Sequence, residues 1–139
     1  MAMSLRFEIF PADLDATVDF YTRVLRFELT VDRRTDLEPY VQLQRDGVLV
    51  GAARRPAVPD VAVRRPPTGV ELVLEVDDID VEYALVRSTG WPLDAEYAYV
   101  VNTGWPRDAE LVVRPWGLRD FRLLDPAGHL LRLTDRPSA

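Results

Sequence analysis

The sequence repeats its own organisation at an offset of 65 residues, and that repeat limits the fold more than any other feature. Leu5, Phe7 and Ile9 fall on Val70, Leu72 and Leu74, and Asp13-Leu14-Asp15 falls on Asp78-Ile79-Asp80. In the first half, Leu5 to Phe10 alternates apolar and charged side chains, the period-two pattern of a strand with one buried face. Pro11 ends it. Asp13 is placed to cap a helix reaching about Leu25, since Leu14, Val18, Tyr21, Val24 and Leu25 recur at helical spacing. Alternation returns at 27–31 and 40–44, and Asp46-Gly47 predicts a hairpin into a strand over 48–52. The second half restarts with a strand over 70–76 and a helix opened by Asp78, containing Val81, Tyr83, Ala84 and Leu85. Gly90 is placed to end that helix in a left-handed turn. Strand patterns follow at 96–101, 111–113, 121–124 and 130–134. Two copies of a βαβββ module are expected.

Between the copies, Pro56, Pro59, Pro66 and Pro67 crowd residues 54–68, too many for a helix or a central strand. One domain, 1–139, is therefore expected: module one over about 4–53, this linker, and module two over about 69–135. A second repeat lies inside module two. Thr89-Gly90-Trp91-Pro92-Leu93-Asp94-Ala95-Glu96 returns at 103–110 with seven of eight residues matching, 14 positions later. We read a tandem duplication with units 89–102 and 103–116. It is either a passive piece of hairpin or an added edge strand that alters assembly.

Composition narrows the chemistry. There is no Cys, so disulfides, thiolate metal sites and cysteine nucleophiles are excluded, and the single His, His129, leaves little for a triad. Seventeen Lys and Arg stand against 23 Asp and Glu, a net charge of −6, which argues against a nucleic-acid binder. Arg6 and Glu8 interrupt the first apolar run, and no uncharged stretch approaches the ~20 residues of a membrane span. A cytoplasmic protein is expected.

The run Arg114-Pro115-Trp116-Gly117-Leu118-Arg119-Asp120-Phe121 through Leu124-Asp125-Pro126-Ala127-Gly128-His129 to Leu133 resembles the C-terminal signature of the glyoxalase/bleomycin-resistance (vicinal oxygen chelate) superfamily. Residues 12–21 and 24–27 resemble its first helix. The resemblance implies an α+β fold in which two βαβββ modules form a cup-shaped mixed sheet with helices outside. Arg26 departs from it, standing where the family usually has Gly. A left-handed turn there costs about 1 kcal/mol, so the helix is expected to end differently.

The superfamily contains metal-dependent enzymes and metal-free binding proteins, and its ligand positions separate them. Carried onto this sequence they fall on Arg6, on Glu71, on Arg132 and within 48–53, where no side chain can ligate. Arg has no lone pair to offer a cation, so no cofactor and no catalytic residue are expected. By strand parity, Arg6, Glu8 and Phe10 face the cup, as do Glu71, Val73 and Glu75, and Leu130, Arg132 and Thr134. Arg6 and Arg132 are expected to pair with some of Glu8, Glu71 and Glu75, leaving a slight acidic excess. That floor is either a structural salt-bridge cluster or a surface that reads a ligand's amine or amide groups. Trp116, in a turn at the cup's mouth, is the aromatic candidate for stacking on a planar ligand. Phe20 and Tyr21 are expected in the core and His129 in an exposed turn.

The resemblance thus implies a non-catalytic protein that sequesters a cationic or aromatic antibiotic or metabolite at a homodimer interface. A metal-dependent lyase, isomerase or dioxygenase of the same superfamily stays open as the alternative, as does a variant whose duplication alters assembly.

Overall fold

The computed structural model describes residues 2–54, 71–93, 111–113 and 117–136. The chain divides into two compact units, Met1–Arg64 and Arg65–Ala139.

In the first unit the strands are β1 (Arg6–Ile9), β2 (Glu28–Arg33), β3 (Tyr40–Arg45) and β4 (Val48–Ala53). They form one sheet in the order β1-β4-β3-β2. β1 runs parallel to β4, Arg6 opposite Leu49 and Glu8 opposite Gly51, and the other two pairings are antiparallel. The Asp46-Gly47 turn joins β3 to β4 directly, with Arg45 opposite Val48 and Asp46 at φ 50°. Helix α1 (Leu14–Asp19) begins where expected, because Asp13 Oδ1 accepts the Ala16 N–H at 3.0 Å. It continues through a π-type turn, Phe20–Val24, in which the Leu25 N–H reaches back to the Phe20 carbonyl at 3.3 Å. That wider turn puts adjacent residues on one face: Phe20, Tyr21, Val24 and Leu25 are all fully buried against the sheet. Tyr21 makes edge-on ring contacts with Phe20 and Phe27, with centroids at 5.0 and 5.5 Å.

The helix end corrects one expectation. Arg26 adopts the left-handed conformation itself, at φ 59°. Its guanidinium folds back to donate to the Val24 carbonyl at 3.2 Å, and Arg45 donates to the Leu25 carbonyl at 2.9 Å. Two arginines satisfy the orphaned carbonyls of the helix end, which offsets the strain of a non-glycine residue there.

The second unit repeats the plan. Strands β5 (Leu72–Val76), β6 (Val112–Val113), β7 (Arg119–Leu124) and β8 (Leu130–Asp135) lie in the order β5-β8-β7-β6, with β5 parallel to β8. Helix α2 (Ile79–Ser88) is capped by Asp78 Oδ1, which accepts the Val81 N–H at 3.1 Å, and Gly90 follows its end at φ 76°. Tyr83 of α2 packs edge-on against Phe121, and Phe121, Leu123, Leu131 and Leu133 form the fully buried face of the sheet. Parallel first and last strands, with the helix crossing between the first pair, make both units βαβββ in plan.

Details differ from the sequence pattern. Leu5 precedes β1 and is 80% exposed, so it does not join Phe7 and Ile9. α2 buries Ile79, Glu82 and Val86, while Val81 and Leu85 stand 52% and 40% exposed. The inward stripe runs i, i+3, i+7 from the residue next to the cap, with Tyr83 beside it, which turns Val81, Ala84 and Leu85 outward. The strand expected over 96–101, the second copy of the eight-residue repeat and most of the linker lie outside the described residues. No helix among the described residues is long and apolar enough to cross a membrane.

Candidate functional site

Strand parity places the candidate side chains on the sheet faces opposite the helices. In the first unit Arg6 and Glu8 project from the same face of β1, and Arg6 Nε lies 2.8 Å from Glu8 Oε1. Glu8 is opposite Gly51 of β4, and its carboxylate lies over the glycine where a Cβ would project. Within the segment that would carry a family ligand, Gly51 is thus covered by a carboxylate that Arg6 already neutralises. Phe10 follows β1 and is half-buried. At the other end of the same sheet, an open depression of about 1170 Å³ is lined by Arg33, Leu37, Tyr40, Ala53 and Arg54 among others. The sequence pattern did not single it out, because its lining comes from loop and strand ends with no shared periodicity.

In the second unit Glu71, Asp120, Arg122 and Arg132 form one cluster. β7 and β8 pair so that Arg122 is opposite Arg132, and Asp120 is opposite Thr134. Glu71, just before β5, reaches both guanidinium groups: Oε2 lies 3.4 Å from Arg122 Nε and Oε1 lies 3.3 Å from Arg132 Nε. Asp120 Oδ1 lies 3.4 Å from Arg122 Nη1, and its Oδ2 lies 3.8 Å from Arg132 Nη1. Burial grades sharply across the group: the side chains of Asp120 and Arg122 are 0% and 4% exposed, those of Glu71 and Arg132 20% each. Taking two charges of each sign out of water is tolerable only because each faces its opposite.

The expected pairings of Arg6 with Glu8 and of Arg132 with Glu71 are present. Glu75, beside Thr134, is exposed and joins no ion pair among the described residues. Arg122 and Asp120 join Glu71 and Arg132 in a cluster of two charges of each sign, and adding one of each leaves the expected balance of the wider floor unchanged. Extending the parity of β8 to the run Asp120-Phe121-Arg122-Leu123 would have found both. Trp116 lies outside the described residues. Trp91 is a packing residue, its Nε1 donating to the Leu124 carbonyl at 2.9 Å.

His129 is corrected. Its side chain is 12% exposed, and Nδ1 lies 2.8 Å from Asp125 Oδ2. The buried Asp125 is the hub of the β7–β8 turn, with Oδ1 accepting the N–H groups of Ala127 at 3.0 Å and His129 at 2.8 Å. The Asp-Pro-Ala-Gly run is therefore a side-chain-built turn, and its histidine completes the turn instead of extending into solvent.

Two exposed ion-pair groups tie elements together away from these faces. Arg34 bridges Asp32 and Asp15 at 2.7 and 3.0 Å, and its hydrogen bond holds the Asp32 carboxyl below the ordinary carboxylate range. Arg119 joins Asp80 of α2 at 2.9 Å, and that hydrogen bond raises its guanidinium pKa.

The donor set does not fit a divalent cation. Two of the four family ligand positions carry guanidinium groups, another falls within residues 48–53, where no side chain can ligate, and both oxygens of Glu71 face arginine. No group of three or more potential ligands occurs among the described residues.

Two βαβββ units, each with a charged sheet face turned away from its helix, define the paired-module class, and residues 4–133 match the Glyoxalase/Bleomycin resistance protein/Dioxygenase superfamily. The chain belongs to that superfamily. Among solved structures it is similar to a bleomycin resistance determinant encoded on the transposon Tn5, at 25% identity and a TM-score of 0.69, covering 99% of this chain and 100% of that one. It is also similar to a bleomycin-binding protein complexed with bleomycin, at 24% identity and TM-score 0.67, covering 99% and 100%. TioX from Micromonospora sp. ML1 shares the fold at 22% identity and TM-score 0.68, covering 98% and 100%. No curated protein matches the chain.

Proposed function

We propose that this protein is a non-catalytic binding protein of the bleomycin-resistance type, which sequesters an antibiotic or metabolite as a homodimer. The observation that carries the proposal is the replacement of a ligating donor set by Arg6–Glu8 over Gly51 and by Glu71 between two arginines. Such groups offer hydrogen bonds and contact area to a ligand. The likeness to a bleomycin resistance determinant and to a bleomycin-bound relative supports the same reading.

Binding is reversible in this proposal. Phe10 and Trp116 supply apolar and aromatic contact, while Arg6, Glu8, Glu71, Glu75 and Arg132 orient polar groups of the ligand. Thermal-shift screening against bleomycin-type glycopeptides and other aromatic antibiotics tests it. A saturable rise in melting temperature with a member of the panel is expected, and flat curves across the panel would overturn it. Metal analysis of the purified protein gives an independent check: stoichiometric Fe, Mn, Ni or Zn lost in Glu71→Gln would move the protein to the metal-dependent side of the superfamily.

A further inference from the structure

We propose that the Glu71–Arg132 pair recognises a neutral planar amide, either a carboxamide or the C(=O)–NH edge of a lactam or imide. Arg132 donates to its carbonyl oxygen and the Glu71 carboxylate accepts from its N–H. The inference rests on the small-molecule-binding reading above and names the chemistry that the same site selects.

The Arg132 side chain carries five N–H donors and makes no hydrogen bond to any described residue. Its Nε is buried and unsatisfied: Glu71 Oε1 is 3.3 Å away but off the line of the N–H. Its Nη1 is 3.8 Å from Asp120, beyond hydrogen-bond reach. A well-formed guanidinium–carboxylate pair closes to roughly 2.7–2.9 Å. Arg122 prevents that closure. Directly opposite on β7, it engages the other oxygen of Glu71 and one oxygen of Asp120, so both carboxylates are shared between two guanidinium groups.

The accessible half of the cluster then presents one acceptor beside one fork of donors. Glu71 and Arg132 are each 20% exposed, while Arg122 and Asp120 are buried beneath them. The four charges cancel. A carboxylate ligand would sit against Glu71 and Asp120, and an ammonium would sit against two arginines; in a half-buried setting each meets repulsion as well as attraction. A neutral group with acceptor and donor on one edge complements both exposed partners and adds no charge.

Three probes with one aromatic body separate these cases: 2-naphthamide, 2-naphthoate and 2-naphthylmethylammonium. Titrated into ¹⁵N-labelled protein, the amide should shift the Arg132 Nε–H resonance and bind about ten-fold more tightly than either ion. Arg132→Met should abolish that preference. Because this variant could fail to fold, Glu71→Gln provides a second reading: it leaves the cluster with net positive charge, and naphthoate should then overtake the amide. Naphthoate binding the wild type as well as the amide, or amide binding indifferent to both substitutions, overturns the inference. Antibiotic binding that survives both substitutions would sink this inference alone. Arg132-dependent amide selectivity with a flat antibiotic panel would sink only the resistance-type function.

Discussion

Arg122 and Arg132 face each other across the β7–β8 ladder, two like charges on neighbouring strands with Glu71 reaching to both. Opposed like charges destabilise a sheet, so the arrangement depends on its two carboxylates. The burden is unequal, because Arg122 is buried with its hydrogen bonds made and Arg132 is not.

Arg122→Met should therefore cost about 3–5 kcal/mol, the usual penalty for breaking a buried ion pair, here that of the fully buried Asp120. Arg132→Met removes no hydrogen bond and should cost roughly half of that or less. Urea denaturation of the two variants checks the order, and equal losses would contradict this division of labour.

Gly51 and Glu8 should be coupled. A Cβ at position 51 collides with the Glu8 carboxylate, which is the far end of a movable side chain, so Gly51→Ala should cost no more than about 1 kcal/mol. In a Glu8→Ala background that cost should vanish or change sign, since alanine also restricts the unfolded chain. A double-mutant cycle measures the coupling.

Arg26→Gly relieves a left-handed residue but removes the bond from its guanidinium to Val24. Strain relief of about 1 kcal/mol against a partly buried hydrogen bond of similar worth predicts a net change within about 1 kcal/mol. A thermal melt decides the sign.

Acid should loosen the β2 end. The hydrogen bond from Arg34 lowers the Asp32 pKa in the folded state, so the stabilisation is complete above about pH 4, the ordinary aspartate value, and is lost as pH falls below it through the folded pKa. Asp32→Asn should flatten that part of the stability–pH curve. The side chain is largely exposed, so about 0.15 M salt should weaken the effect.

Much of this was legible in the residues themselves. The period-two runs and the two helix-opening aspartates placed both βαβββ plans, and parity put Arg6, Glu8, Glu71 and Arg132 on their faces. What escaped were features set by three-dimensional neighbours. The π-type turn at Phe20–Val24 leaves no mark in a periodicity that already places Tyr21, Val24 and Leu25 together. The burial of Glu82 and the outward turn of Val81 depend on which stripe meets Phe121. Arg122 was missed because parity was carried along β8 and not across to its neighbour. His129 looked exposed because a Gly-His dipeptide does not reveal that Asp125 lies within reach of its ring.

The parallel pairs β1–β4 and β5–β8 have a bearing on how the chain reaches its fold. Arg6 meets a partner 43 positions on at Leu49, whereas Leu72 meets one 59 positions on at Leu131. The longer separation in the second unit adds only roughly 0.3 kcal/mol of chain entropy, because that cost grows with the logarithm of length. Residues can thus be added between the two strands of such a pair with little thermodynamic penalty. The second unit also joins more distant partners, and such pairings slow folding, so a β3–β4 hairpin closed by two residues is the natural place for order to begin.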